Sequence, residues 1–319
     1  MKNPFQPFLE QQGFVVLDGA MATELEAMGA DLNDPLWSAK VLVEDPELIR
    51  EVHLNYLTAG ADVLSTATYQ ATYRGFARRG IDREAAENLF VESVRLAAAA
   101  RAQFWMEERH NIASRNFPLI AASLGPYGAY LADGSEYHGN YGLSRSELED
   151  WHRPQVETLA ALEEVDLLLF ETIPSLLEAE AIIDLMGNFP DRPYGLSFSC
   201  KNGRAVSHGE TFMEALALAS GVSQIAAVGI NCTAPEFIGP LLETIKGEGS
   251  RPLMVYPNSG EVWNAGAHCW EDPENKQGIA DHLSDWYHSG ARIIGGCCRT
   301  TPADIARIRG NLQPLVKPL

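Results

Sequence analysis

Two glycines followed by two cysteines, Gly295-Gly296-Cys297-Cys298, form the stretch of this sequence with the clearest chemical potential. A third cysteine, Cys232, lies in the segment GINCTAP, and the remaining two are Cys200 and Cys269. Vicinal cysteines are too close for an ordinary structural disulfide, and five unevenly placed cysteines in 319 residues do not suggest a disulfide framework. Metal binding is the better reading. Zinc takes four ligands, accepts thiolates at about 2.3 Å, and in catalytic sites keeps one position for water or substrate. Cys232, Cys297 and Cys298 together therefore suit a catalytic Zn2+, with the adjacent glycines letting the backbone turn sharply enough for two neighbours to address one ion. Cys200, and Cys269 beside His268 in a long loop, remain open as alternative ligands.

The chemistry follows from the ligand type. A free thiol of pKa about 8.5 is only a few per cent thiolate at neutral pH, and coordination deprotonates it outright, a gain of roughly 2 kcal/mol in available nucleophile. Three anionic sulfurs keep the metal electron-rich, so a bound substrate thiolate retains its nucleophilicity, whereas hydrolytic zinc more often carries neutral imidazoles. Thiol activation for group transfer is the expectation. Its rivals are a thiolate-zinc hydrolase with Glu171 as general base and a non-enzymatic zinc or redox sensor using the vicinal pair.

These cysteines must be positioned by elements far apart in sequence. Eight short apolar runs recur: 14–18, 62–68, 119–123, 166–171, 194–199, 224–231, 252–257 and 291–296. Most read as strands buried on both faces. Helical patterns lie between them at 46–60, 83–104, 145–162, 175–189, 211–220 and 301–312, as in Leu48, Ile49, Val52, Tyr56 and Leu57 on one face. This alternation predicts an α/β fold of the (β/α)8 TIM barrel class, with a doubly wound open sheet as runner-up. With no linker or composition shift, residues 1–319 read as one domain. In such a barrel chemistry sits at the C-terminal strand ends, which here carry Asp18, Thr68 with Tyr69, Ser123, Glu171, Ser199 with Cys200, Asn231 with Cys232, Asn258, and Cys297 with Cys298.

Composition narrows the partners. The chain is 46% apolar and 21% charged, enough for a large core, with a net charge of −19 from 43 acidic and 24 basic residues. That sign repels phosphate backbones and anionic membranes, which argues against nucleic-acid or membrane partners and for small molecules. The N-terminal MKNPFQPFLEQQ lacks an apolar signal core and no run approaches the roughly 20 residues of a membrane span, so a cytoplasmic protein is expected.

The stretches LDGAMATELEAMG, DPLWSAKVLVEDPELIREVHLNYLTAGAD, TATYQATYRGFARRG, SLGPYGAYLADGSEY, ETIPS, GINCTAP, VYPNSGE and GGCCRTTPADI resemble the homocysteine S-methyltransferase family over nearly the full length. The resemblance is strongest to bacterial members that use S-methylmethionine as methyl donor. It implies a homocysteine-binding (β/α)8 barrel in which Cys232, Cys297 and Cys298 bind zinc, Asp18, Gly19 and Ala20 line the homocysteine site, and Glu171 holds the amino group. Gly19 at a strand-to-helix turn would let backbone N–H groups approach a carboxylate, and a carboxylate at 171 can pair with an ammonium. Methionine is the implied product. For a sulfonium donor, Trp37, Tyr69, Tyr127, Tyr130, Glu136 and Tyr137 are cage candidates, with Ser123 and Asn258 as further substrate-binding residues. S-adenosylmethionine and betaine are the alternative donors; folate donors acting through cobalamin need extra modules for which 319 residues leave no room.

Overall fold

The computed structural model describes residues 2–32, 38–108, 115–249, 251–264, 269–271 and 278–316. Eight parallel strands, in sheet order β1-β10-β7-β6-β5-β4-β3-β2, form the expected barrel. They are β1 (Val15–Val16), β2 (Val63–Ser65), β3 (Leu119–Leu124), β4 (Leu167–Ile173), β5 (Tyr194–Phe198), β6 (Ile225–Asn231), β7 (Leu253–Tyr256) and β10 (Ala291–Ile294). Between β1 and β2 the barrel closes by a parallel bridge, Leu17 to Val63, supported by Asp18 N–H donating to the Val63 carbonyl at 3.2 Å and Asp62 N–H to that of Val16 at 2.7 Å. All eight predicted runs supply a barrel strand.

Alternation along each strand separates two cores. Val15, Leu17, Val63, Ala121, Leu167, Leu169, Ala227, Met254, Tyr256 and Ile293 fill the barrel interior. Val16, Leu64, Ile120, Leu168, Phe170, Leu196, Val228, Val255 and Ile294 join the larger cluster beneath the helices. Both faces are buried, hence the near-continuous apolar runs. The predicted helices are present, among them Pro46–Ala59, Arg83–Glu108, Arg145–Ala160, Leu176–Met186, Phe212–Ala219 and Pro302–Leu312.

Two elements depart from expectation. The N-terminal segment, read only as lacking a signal core, forms a helix Gln6–Gln12 that ends on left-handed Gly13 and sends Phe5 and Phe8 into the barrel interior. It plugs the end opposite the predicted site. The loop assigned to Cys269 contains an antiparallel pair, β8 (Val262–Asn264) with β9 (Cys269–Glu271). Trp37 and His268 lie outside the described residues.

The plugged end is held by a buried charge. Asp62, wholly shielded from solvent, accepts from Gln12 Nε2 at 2.7 Å and Val16 N–H at 3.0 Å, has the Arg115 guanidinium 3.5 Å away, and accepts from Arg309. Arg309 also donates to the Gly60 carbonyl at 2.7 Å, so β1, β2 and the last helix meet at one carboxylate. Burial lowers the Arg115 guanidinium to about 10 although Asp62 opposes the change. Removing one partner from a buried charge network typically costs about 3–5 kcal/mol. Asp62→Ala is accordingly expected to lower chemical-denaturation stability by about that amount, far beyond the effect of a surface carboxylate such as Glu236→Ala measured alongside.

Candidate active site

At the other end of the barrel three sulfurs converge. The Sγ atoms of Cys232, Cys297 and Cys298 all lie within 4.8 Å of one another, and all three residues are partly buried. Cys232 follows β6; Cys297 and Cys298 follow β10 by two residues. Their approach is enforced by backbone pairing: Cys232 N–H donates to the Tyr256 carbonyl, Cys297 N–H to that of Pro257, and Ser259 N–H to that of Cys298. The segment after β7 thus lies between the other two and draws them together.

Cys232 and Cys297 are joined as a disulfide with Cα atoms 5.4 Å apart, while Cys298 is a free thiol 3.9 Å from Cys232 Sγ. One cross-link is not the disulfide framework that the sequence argues against, but the sequence offers no sign of it either. The vicinal pair is indeed unbonded, but the barrel brings one of its members within ordinary disulfide reach of a cysteine 65 residues away. The same proximity suits a metal. Sulfurs about 2.3 Å from a tetrahedral ion stand roughly 3.8 Å apart, close to the Cys232–Cys298 separation. Cys200 is buried at the end of β5, and only the three-cysteine group qualifies as a metal-ligating cluster among the described residues.

The glycines before the pair have a different role from the one expected. Neither has positive φ; instead a Cβ on Gly295 would sit 2.5 Å from Leu17 Cβ, and one on Gly296 2.3 Å from Thr300 Oγ1. They permit close packing against the residues that follow β1 and against Thr300. Gly19 is similar, since a Cβ there would meet Thr300 Oγ1 and Tyr56 at 2.9 Å. Ala20 N–H is already committed to Thr300 Oγ1 at 3.1 Å, and the Thr300 hydroxyl donates to the Cys297 carbonyl at 2.6 Å. Asp18-Gly19-Ala20 is therefore tied through Thr300 to the cysteine pair. Thr301 then caps the helix Pro302–Leu312 in a reciprocal box with Asp304, which fixes where this segment ends.

Three carboxylates share the mouth. Asp18 Oδ2 accepts from Ser65 N–H at 2.6 Å and Oδ1 from the Ser65 hydroxyl at 2.9 Å, so it also stitches the β1–β2 seam. Burial pushes Asp18 up to about 7, outweighing those two bonds, and the charge of Glu171 adds to the rise. Glu171 Oε1 accepts from the Ser123 hydroxyl, yet burial pushes it to about 7 as well. Glu136, on the short helix Ser135–Tyr137, is raised chiefly by burial, and its Oε2 is buried without a hydrogen-bond partner. The Cys298 thiol rises to about 11, first by burial, then through the charges of Glu136 and Glu171. Desolvated groups of one sign have been gathered here, which destabilises every anion until a cation arrives.

The other predicted residues divide. Ser123 is 1% exposed and serves Glu171. Tyr69 borders the same space: its hydroxyl engages Thr172 and feels Glu136 and Glu171, while burial holds it well above the ordinary tyrosine range. Asn258 has a buried, unpartnered Oδ1. Tyr130 instead packs in an aromatic group, 4.7 Å from Trp151 and 6.0 Å from Tyr127 between ring centres, with the Arg78 guanidinium 4.4 Å over its face. An internal cation already occupies it. Tyr127 belongs to that group, whereas Tyr137, beside Glu136, is 46% exposed. Ser65 and Thr300 carry no site signal in the sequence, and Tyr56 reads there only as part of a buried helix face; a Ser directly across the seam from Asp18 becomes meaningful only once β1 and β2 are known to be neighbours.

Residues 15–312 match the sequence profile of the family described as homocysteine S-methyltransferase. The chain is 47% identical over 306 residues to homocysteine S-methyltransferase YbgG of Bacillus subtilis, covering 96% of each. It is also 47% identical to homocysteine S-methyltransferase of Escherichia coli, covering 97% of this chain and 98% of the relative. Crystal structures of the homocysteine methyltransferase MmuM from E. coli superpose over 97% of this chain and 99% of theirs, the metallated form with a TM-score of 0.86 and the oxidized form with 0.87. With barrel, cysteine cluster and full-length similarity in agreement, the chain belongs to the homocysteine S-methyltransferase family.

Proposed function

We propose that this enzyme methylates the thiol of homocysteine to give methionine, with zinc held by Cys232, Cys297 and Cys298. The observation that carries this reading is the convergence of three sulfurs in a mouth whose carboxylates and free thiol are all raised by burial, with like charge adding to the rise at Asp18 and Cys298. Such a site calls for cations, and a thiolate-binding metal together with the substrate's ammonium would supply them. Zinc, when bound, would deprotonate the substrate thiol at neutral pH. Metal binding requires the Cys232–Cys297 pair in its dithiol form, reached by two-electron reduction with a thiol reductant.

The chain's own residues then orient the reactants. Glu171, steadied by Ser123, would pair with homocysteine's ammonium. The segment Asp18 to Ala20 would border its backbone atoms, with Asp18 held rigid by Ser65. Tyr69, Glu136 and Asn258 would face the donor, the unpartnered Glu136 carboxylate suiting a sulfonium or its amino group. The substrate sulfur's lone pair forms the new S–CH3 bond as the donor's S–CH3 bond breaks, its electron pair returning to the donor sulfur to leave a neutral thioether; the thiol proton goes to solvent. Because the donor's positive charge disappears along this path, aromatic and acidic contacts hold the donor without favouring the transition state, and alignment carries the acceleration. S-methylmethionine is the proposed donor, as the sequence resemblance implies, with S-adenosylmethionine and betaine as the alternatives. We read residues 1–319 as a single homocysteine-binding barrel acting on small molecules in the cytoplasm; among the described residues no helix is long and apolar enough to cross a membrane.

In reduced protein, Cys298→Ala is expected to lose bound zinc and to lower methionine formation from homocysteine by more than the roughly 10–100-fold typical of losing a merely supporting residue. Metal analysis and product assays with S-methylmethionine, S-adenosylmethionine and betaine in parallel test metal and donor together, and full zinc with full activity in the variant would refute the reading. The carboxyls also predict a pH effect. With Glu171 at about 7, the ionised form that pairs with an ammonium is lost as pH falls through that value. At saturating donor, kcat/KM for homocysteine should decline below about pH 7, and more shallowly in Glu171→Gln, where Asp18 alone is left to titrate in that range.

A further inference from the structure

Four non-glycine residues among those described have positive φ, and three stand at the barrel mouth: Thr172 at 62°, Cys232 at 46° and Arg299 at 64°. For a β-branched residue this conformation is a true outlier, costing on the order of 1–3 kcal/mol and persisting only where surroundings impose it. Thr172 directly follows Glu171. It also lies in an irregularity of β4, where Phe170 pairs with Leu196 and Ile173 with Phe198, so three steps of β4 span two of β5. A bulge of this kind re-aims the side chains within it, and it recurs beside active sites.

What imposes the conformation is one side chain from the next strand but one. Asn231, the last residue of β6, accepts Thr172 N–H on Oδ1 at 2.8 Å and donates from Nδ2 to Thr172 Oγ1 at 2.8 Å. Both residues are buried, at 0% and 1% exposure, so neither bond is shared with water. Asn231 is also the residue immediately before Cys232. A single amide therefore ties the bulge carrying Glu171 to the strand end carrying a sulfur. The tie extends outward, because Thr172 engages the Tyr69 hydroxyl and its carbonyl receives the Ser199 hydroxyl at 3.5 Å, the same hydroxyl that reaches the Glu136 carbonyl at 3.2 Å.

We propose that Asn231 is a positioning residue: by clamping Thr172 in the left-handed conformation it locks the β4 bulge and holds the Glu171 carboxylate where homocysteine's ammonium binds. The inference rests on the reading of Glu171 as the ammonium-binding carboxylate. Without the clamp, Thr172 relaxes toward extended backbone, β4 regains regular pairing, and Glu171 turns away, while the sulfurs stay anchored by their own pairing to the segment after β7.

The test compares reduced, zinc-loaded wild type with Asn231→Ala, the volume-preserving Asn231→Leu, Glu171→Gln, and Asn231→Ala combined with Thr172→Gly. Steady-state KM for homocysteine is read at saturating S-methylmethionine, with zinc content and circular dichroism confirming metal and fold. Both Asn231 variants should raise the homocysteine KM about tenfold, the order expected when two buried hydrogen bonds holding an ion-pairing group are lost. Glycine adopts positive φ freely, so the double variant should recover most of that rise, which a general loss of packing would not allow. If Asn231→Ala does not fold, Asn231→Leu carries the comparison, with Thr172→Gly added to it. A homocysteine KM within about twofold of wild type in a folded Asn231 variant, while Glu171→Gln raises it, overturns the clamp. An absent rescue by glycine does so too. An unchanged KM in Glu171→Gln overturns the ammonium assignment itself.

Discussion

Crowded, desolvated negative charge at the C-terminal mouth of the barrel is the constraint around which this structure is built. Burial penalises the ionised forms of Asp18, Glu171, Glu136 and Cys298 alike, and the charge of Glu171 adds to the rise at Asp18 while those of Glu136 and Glu171 add to it at Cys298. Isolated, such an arrangement would destabilise the protein; in the proposed function a metal cation and a substrate ammonium would turn it into a binding site. Much of the local architecture holds these groups in place against their repulsion. Ser65 and Ser123 each commit a hydroxyl to a carboxylate, and Thr300 bridges Ala20 to Cys297. Gly295 lets the cysteine segment lie against Leu17 and Asp18, and Gly296 lets it lie against Thr300, closer than a side chain would permit.

The two ends of the barrel handle charge in opposite ways. At the plugged end, Asp62 is paired within the protein by Arg115 and Arg309. At the open end Asp18 and Glu171 accept from Ser65 and Ser123 and have no arginine or lysine partner among their described hydrogen bonds, in keeping with the proposed cationic ligands. Tyr130 shows the intermediate case. Its ring face, a plausible cation platform from sequence, is taken by Arg78, so that aromatic group supports the loop after β3.

The barrel was legible because strands buried on both faces must be nearly continuous in apolar residues, and eight such runs separated by helical periodicity leave few other solutions. Strand lengths were less legible. The run at 62–68 contributes only Val63–Ser65 to the sheet, because its remaining residues leave the ladder to build the mouth. The helix Gln6–Gln12 escaped notice because seven residues offer too short a window for periodicity, and its apolar anchors, Phe5 and Phe8, acquire meaning only as a barrel plug. In the site, the cysteines were legible through rarity and spacing. The partners that position them are Ser, Thr and Asn, common residues whose role depends on which strand lies alongside. Asn231 was recognised as a strand-end residue, but its grip on Thr172 follows from the β4 irregularity, which periodicity does not encode.

The central claim is that three protein sulfurs leave one metal position for the substrate's own sulfur. Zinc K-edge X-ray absorption on the reduced, zinc-loaded enzyme, recorded with and without homocysteine, tests it directly. The account predicts three sulfurs at about 2.3 Å with one lighter atom in the free enzyme, becoming four sulfurs when homocysteine is added. A coordination shell that homocysteine leaves unchanged, or one already complete with four protein ligands, would contradict it.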